Sequence, residues 1–286
     1  MIKILDLVLH KISKEIKKRS WYLYHDLDKV SETEIADPID VVVTLIEKDI
    51  LVVEKCLESV KLFSLNKINN IYIISPPSLL INKFCIENNY LHLDEDTISP
   101  LTSEELKNFQ IKKDRIGWIK QQLIKLNSDQ VEGILEKYLI IDADTILLKK
   151  QYFTTKNFDV FKFSDEFHFL YKLSSKFILG DLFFSYYSFI SHHQIIQKDL
   201  LLEMKSYIEG RHNIKWYSVF VNAALNNNNF VSEYELYAQY CIKKSNLKIK
   251  KQYWFNFNDK FGNINKPLKI SSKALSISYH NYIYEK

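Results

Sequence analysis

The chain has 286 residues, of which 47% are hydrophobic, enough for one large α/β domain with appendages. Its 39 basic and 35 acidic residues leave a formal charge of +4, a near-balance that argues against a dedicated nucleic-acid binder but permits a locally basic groove for an anionic substrate. Cys56, Cys85 and Cys241 sit far apart with no C-x-x-C spacing, so neither a cysteine zinc cluster nor a disulfide framework is suggested, and a reducing cytosol is the expected compartment.

No apolar run reaches bilayer length, and the N-terminus lacks the uninterrupted apolar core of a secretory signal. From Ile2 to about Leu27, the apolar residues Ile4, Leu5, Val8, Leu9, Ile12 and Ile16 alternate with Lys11, Lys14, Lys17, Lys18 and Arg19. This pattern predicts a basic amphipathic helix. Such a helix could rest on anionic lipid headgroups, as a peripheral contact with the inner face of a membrane, or pack on the flank of the domain with its lysines solvated. Asp37-Pro38 marks the boundary, so residues 1–38 are expected as an N-terminal helical extension and 39–286 as the domain proper.

The domain begins with a strand over Ile39–Ile46, an amphipathic helix from Asp49 to Phe63, and a strand over Asn70–Ser75 that ends at Pro76-Pro77. This βαβ order predicts a parallel sheet with its ligands at the carboxyl ends of the strands. Neither G-x-G-x-x-G nor a P-loop follows the first strand, which disfavours a dinucleotide site. A short strand near Tyr90–Leu93 leads into Asp94-Glu95-Asp96, whose charges are expected to be hydrated in an open loop. A helix from about Asp114 to Leu126 carries Trp118, Ile119, Leu123 and Ile124 beside Lys120, Gln121, Gln122 and Lys125.

That helix feeds the most informative segment, Tyr138-Leu-Ile-Ile-Asp142-Ala-Asp144. Tyr138 to Ile141 read as a strand covered on both faces, and a carboxylate beside such a strand costs several kcal/mol, roughly, unless something compensates it. A divalent cation such as Mn2+ or Mg2+ takes hard oxygen ligands and commonly bridges carboxylates to nucleotide phosphates. Small Ala143 lets the backbone approach a bulky ligand. The alternative is a plain Asp-x-Asp turn.

Beyond it, the pattern predicts a strand over Phe158–Phe163, helices from Gln194 to Ile208 and from Glu233 to Lys243, and extended chain from Leu247 to Phe257. Ser191-His192-His193 precedes the first of these helices, where the pair could hydrogen-bond an acceptor hydroxyl or a departing diphosphate, or else cap the helix at the surface. Ser232-x-x-Glu235 has the spacing of a capping box, which accounts for Glu235 and leaves Glu233 free at a helix start.

The βαβ opening and a strand ending in Asp-x-Asp resemble the GT-A glycosyltransferases. Within them the chain is similar to bacterial polysaccharide-type transferases through Gly117-Trp118-Ile-Lys-Gln121-Gln122-Leu-Ile-Lys125-Leu, Leu139-Ile-Ile-Asp142-Ala-Asp144-Thr145, Ser191-His192-His193-Gln194 and Ser232-Glu233-Tyr234-Glu235-Leu-Tyr237. The similarity covers about Ile39 to Tyr282. It implies a Rossmann-like nucleotide-binding half, a mixed central sheet flanked by helices, and a nucleotide-sugar donor, with a UDP-sugar favoured. The sugar would pass to a glycan or lipid-linked acceptor, in surface polysaccharide biosynthesis.

The resemblance further implies that Asp142 and Asp144 hold the metal and the donor, and that Asp40, Thr44, Gln121 and Lys125 touch the donor. His280, in Ser278-Tyr279-His280-Asn281, would be a third metal ligand, Glu233 the catalytic base, and His192 and His193 acceptor contacts. Two rival readings are a metal-dependent nucleotidyltransferase and a non-catalytic, sugar-binding relative of the same fold.

Overall fold

The computed structural model describes residues 30–35, 38–163, 169–181, 188–227, 230–257 and 275–279. The expected basic helix over Ile2–Leu27 and the candidate ligand His280 lie outside the described residues.

The chain is an α/β protein built on a mostly parallel five-stranded sheet. β1 (Ile39–Thr44) leads through α1 (Ile50–Phe63) to β2 (Ile68–Ser75), and α2 (Leu79–Asn88) leads on to β3 (Leu91–Asp94). Pro76-Pro77 follow β2, Ser78 Oγ caps α2 by accepting from Ile81 N at 3.2 Å, and Asn89 stops the helix in the left-handed region at φ 56°. Two short helices follow, α3 (Glu95–Ile98) and α4 (Ser103–Asn108), and then α5 (Ile116–Leu126).

Next comes β4 (Lys137–Ile141), which lies on the other side of β1, so the sheet order runs β3-β2-β1-β4. β1 pairs in parallel with β2 and with β4, and β2 pairs in parallel with β3. Strand order therefore reverses between β1 and β4, and the crevice at their carboxyl ends is where open α/β sheets bind ligands. Val41, Val43, Leu139 and Ile141 are fully buried, which explains their unbroken apolar run.

The remaining strands are β5 (Thr145–Leu147), β6 (Asp159–Phe163), β7 (His193–Gln197), β8 (Ile249–Tyr253), β9 (Phe255–Phe257) and β10 (Ser276–Tyr279). β7 closes the main sheet antiparallel to β4; β5, β10 and β9 form a second sheet, and β6 pairs with β8. The helices of this half are α6 (Phe169–Leu179), α7 (Lys198–His212), α8 (Trp216–Asn226) and α9 (Glu233–Lys244).

The structure departs from the sequence pattern at three points. The helix expected from Gln194 begins at Lys198, because Gln194-Ile-Ile pairs along β4 and buries both isoleucines as strand residues. The Asp94–Asp96 acids are not an open hydrated loop. Asp94 caps α3, and buried Lys120 on α5 donates to Glu95 Oε1 at 2.5 Å and to Asp96 Oδ1 at 2.6 Å. Only half of the expected capping box forms at α9. Ser232 Oγ accepts from Glu235 N at 3.3 Å, but the Glu235 carboxylate turns inward to Lys172 Nζ at 2.9 Å, Phe189 N at 2.8 Å and Gln239 Nε2 at 2.8 Å.

Both partners of the Lys172–Glu235 pair are 1% exposed, so removing one charge strands the other in the core. Glu235→Ala is expected to lose about 3–5 kcal/mol of stability in urea unfolding. A loss under about 1 kcal/mol would show that the pair is not the anchor of this half.

Candidate functional site

The site forms where the sheet reverses. Register places Val42 opposite Ile140, so Thr44 at the end of β1 comes level with Asp142, two residues past that pair. The turn after β4 is fixed by backbone hydrogen bonds: Asp142 N donates to His192 O at 2.8 Å, and Thr145 N donates to Asp142 O at 3.0 Å. Beneath it, the buried Cys56 thiol faces Asp142 O at 3.7 Å. Burial pushes that thiol well above its usual range, with Asp144 and Asp142 adding to the effect, so it serves as packing.

Asp142 is the hub of the site. Its Oδ1 accepts from Lys125 Nζ at 2.5 Å and from Tyr234 OH at 2.8 Å, while its Oδ2 lies 3.0 Å from His192 Nδ1. Burial opposes its ionisation, but Lys125 and His192 together hold it well below the ordinary carboxylate range. Lys125, 3% exposed on α5, also donates to Glu233 Oε1 at 2.8 Å, and its ammonium sits 4.7 Å from the centre of the Tyr234 ring. Burial would favour its neutral form, yet Asp142 and Glu233 raise its pKa and keep it charged.

Asp144 differs from its neighbour in its hydrogen bonding and in the direction of its pKa shift. Its Oδ1 is buried and accepts no hydrogen bond. Burial pushes its carboxyl up to about 7; Asp142 pushes the same way, while His192 and Lys125 pull it down. Ligand atoms of Asp142, Asp144 and His192 lie within 4.8 Å of one another. Two hard oxygens and an imidazole, with one buried oxygen lacking a partner, suit a divalent cation of the Mn2+ or Mg2+ type.

The other expected site residues divide. Gln121 Nε2 donates to Thr44 Oγ1 at 2.9 Å, which places both at the carboxyl edge of β1. Glu233 lies at the start of α9, its amide donating to Gln122 Oε1 at 3.1 Å and its side chain on Lys125. Gln122 and Lys125, like Lys120, are buried, so this side of α5 is no wet face.

Asp40 is not at the site: it stands near the start of β1, at the opposite end of the strand from Thr44. There its carboxylate accepts from Asn69 Nδ2, Asn70 N and Leu135 N at 2.9, 2.8 and 2.7 Å, which ties the loop ahead of β4 to the sheet. His193 is a core residue. As the first residue of β7 it pairs with Ile141, directs Nδ1–H to Ser191 O at 2.8 Å and packs edge-on against Phe153 and Trp254. His192, one residue earlier, turns its ring toward Asp142. Tyr234 is a further site residue that carried no sequence signal of its own, since a tyrosine beside an acidic helix start has no fixed chemical meaning.

The raised Asp144 carboxyl has a measurable consequence in EDTA. Between about pH 4 and 7 the folded protein holds a proton that the unfolded chain, with the ordinary value of 3.8, has released. Its stability contribution is therefore full below about pH 4 and declines as pH rises to 7. His193, held well below 6.5 chiefly by burial, acts in the opposite direction below about pH 6.5, so the informative quantity is wild type minus variant. Asp144→Asn is expected to gain on the wild type by about 1–3 kcal/mol between pH 4 and 7, after discounting for partial exposure. Parallel stability curves would contradict the buried setting of this carboxyl.

The comparison with curated proteins finds no match. Among solved structures, a galactosyltransferase, LgtC, in complex with donor and acceptor sugar analogs aligns over 84% of this chain and 87% of its own, with 12% identity and a TM-score of 0.47. Mouse xyloside xylosyltransferase 1, in its apo form, aligns over 85% of this chain and 97% of its own, with 8% identity and a TM-score of 0.48. At such identities and scores, the chemistry of this chain has to be read from its own residues. Residues 38–263 match a family described as a family of unknown function, DUF6492, and the chain belongs to that family.

Proposed function

We propose that the protein is a GT-A glycosyltransferase that uses a divalent cation and a nucleotide-sugar donor. The observation that carries this reading is the buried, unpartnered Asp144 Oδ1 beside a fully bonded Asp142, at the point where strand order reverses. The absence of a Gly-rich phosphate loop after β1 weighs against the nucleotidyltransferase alternative.

When bound, a cation at Asp142 and Asp144 would stabilise the negative charge that builds on the departing diphosphate. Thr44 and Gln121, linked to each other at the edge of β1, face the nucleoside end of the donor. Lys125 keeps Asp142 ionised and fixes the Glu233 carboxylate at the mouth of α9. Glu233 would accept the proton of an attacking hydroxyl if the reaction inverts configuration, or position the sugar if it retains it. A UDP-sugar donor and a glycan or lipid-linked acceptor are the substrates that this reading favours. No helix among the described residues is long and apolar enough to cross a membrane.

A donor-hydrolysis screen across UDP-, GDP-, CMP- and dTDP-sugars, with and without Mn2+, tests the reading. We expect cation-dependent turnover of one nucleotide class and a loss of about a hundredfold or more in Asp144→Ala. Equal rates in both proteins would remove the metal reading. Glu233→Gln is expected to leave donor hydrolysis within about threefold of wild type while transfer to an acceptor drops about a hundredfold. Unimpaired transfer would deny Glu233 its role.

A further inference from the structure

His192 has φ 55°, in the left-handed region that few side chains other than glycine adopt. Its carbonyl accepts from Asp142 N at 2.8 Å and from Thr145 Oγ1 at 3.4 Å, and its ring lies 5.0 Å from that of Trp254, a fully buried side chain. The chain therefore holds His192 from both sides while its neighbour His193 faces the core. What this achieves is to set an imidazole beside Asp142 and Asp144, with ligand atoms of all three within 4.8 Å.

We infer that His192 is the nitrogen ligand of the cation at this site. The inference rests on the metal-dependent reading above and adds the third ligand, the role that the family resemblance gives to His280. The support beside the geometry of His192 is Asp144: its buried Oδ1 has no hydrogen bond, and the two side chains bring ligand atoms within 4.8 Å of each other. A ligand set of two carboxylates and an imidazole favours Mn2+ over Mg2+, because nitrogen suits the softer transition ion. His192 also donates to Asp142, so in the metal-free protein it positions that carboxylate.

The test is Mn2+ binding by the full chain without nucleotide, followed by electron paramagnetic resonance, with electron spin echo modulation to detect directly bound nitrogen. Wild type and His280→Gln should both show nitrogen coupling. His192→Gln should lose it, with Mn2+ affinity falling at least tenfold. His192→Gly, whose residue suits φ 55° better than any side chain, should lose it too and regain it with added imidazole. Nitrogen coupling that survives His192→Gln, or that vanishes in His280→Gln, overturns the assignment while leaving intact a site that Asp144→Asn abolishes. Failure of the wild type to bind Mn2+, or indifference to Asp144→Asn, refutes the metal reading itself and the assignment with it.

Discussion

One buried ammonium organises the candidate site. Lys125 is 3% exposed and carries its charge between Asp142, at the end of the central strand, and Glu233, at the start of a helix 108 residues later in the chain. Taking an ammonium out of water costs several kcal/mol, which only close carboxylates and good geometry recover. The helix before the fourth strand, the strand itself and the first turn of the late helix are therefore held in one arrangement by a single side chain. Replacing it would leave Glu233 without its ion-pair partner and Asp142 with only Tyr234 and His192.

The consequence is a division of labour between the two aspartates. Asp142 uses both oxygens on protein donors, Lys125 and Tyr234 on one side and His192 on the other, and is held ionised. Asp144 has no such support, and its carboxyl is pushed up to about 7. A carboxylate with one buried oxygen left without a hydrogen bond suits a ligand that arrives with its own positive charge. The sheet supplies the place, since strand order reverses between the first and fourth strands, the point at which open α/β sheets bind ligands.

Much of this was legible in the residues. The unbroken apolar runs of the first and fourth strands, the amphipathic helix between the first two strands, and the Asp-x-Asp at a buried strand end all follow from pattern and desolvation cost. The start of the late helix was legible too, from Ser232. What failed were points where a side chain's partner comes from distant sequence. Asp40 reads like a nucleotide contact, but Asn69, Asn70 and Leu135 claim it at the wrong end of the strand. Glu235 reads like half of a capping box, but Lys172 on another helix claims it. Lys120 pairs two acids that look free. Local spacing cannot foresee these partnerships. The His192-His193 pair failed for a different reason: the five-residue strand His193–Gln197 precedes the helix, so His193 is held in the sheet, while His192, just ahead of it, turns through the left-handed region toward Asp142.

The central claim is that a cation sits at the turn after the fourth strand and meets a nucleotide diphosphate there. Diffraction from crystals soaked with Mn2+ and UDP, with data collected at the manganese absorption edge, locates the metal directly. The account predicts one anomalous peak within bonding distance of an Asp144 oxygen, with the diphosphate on its open side. A peak elsewhere, or a diphosphate bound with the Asp144 carboxylate still bare, would contradict it.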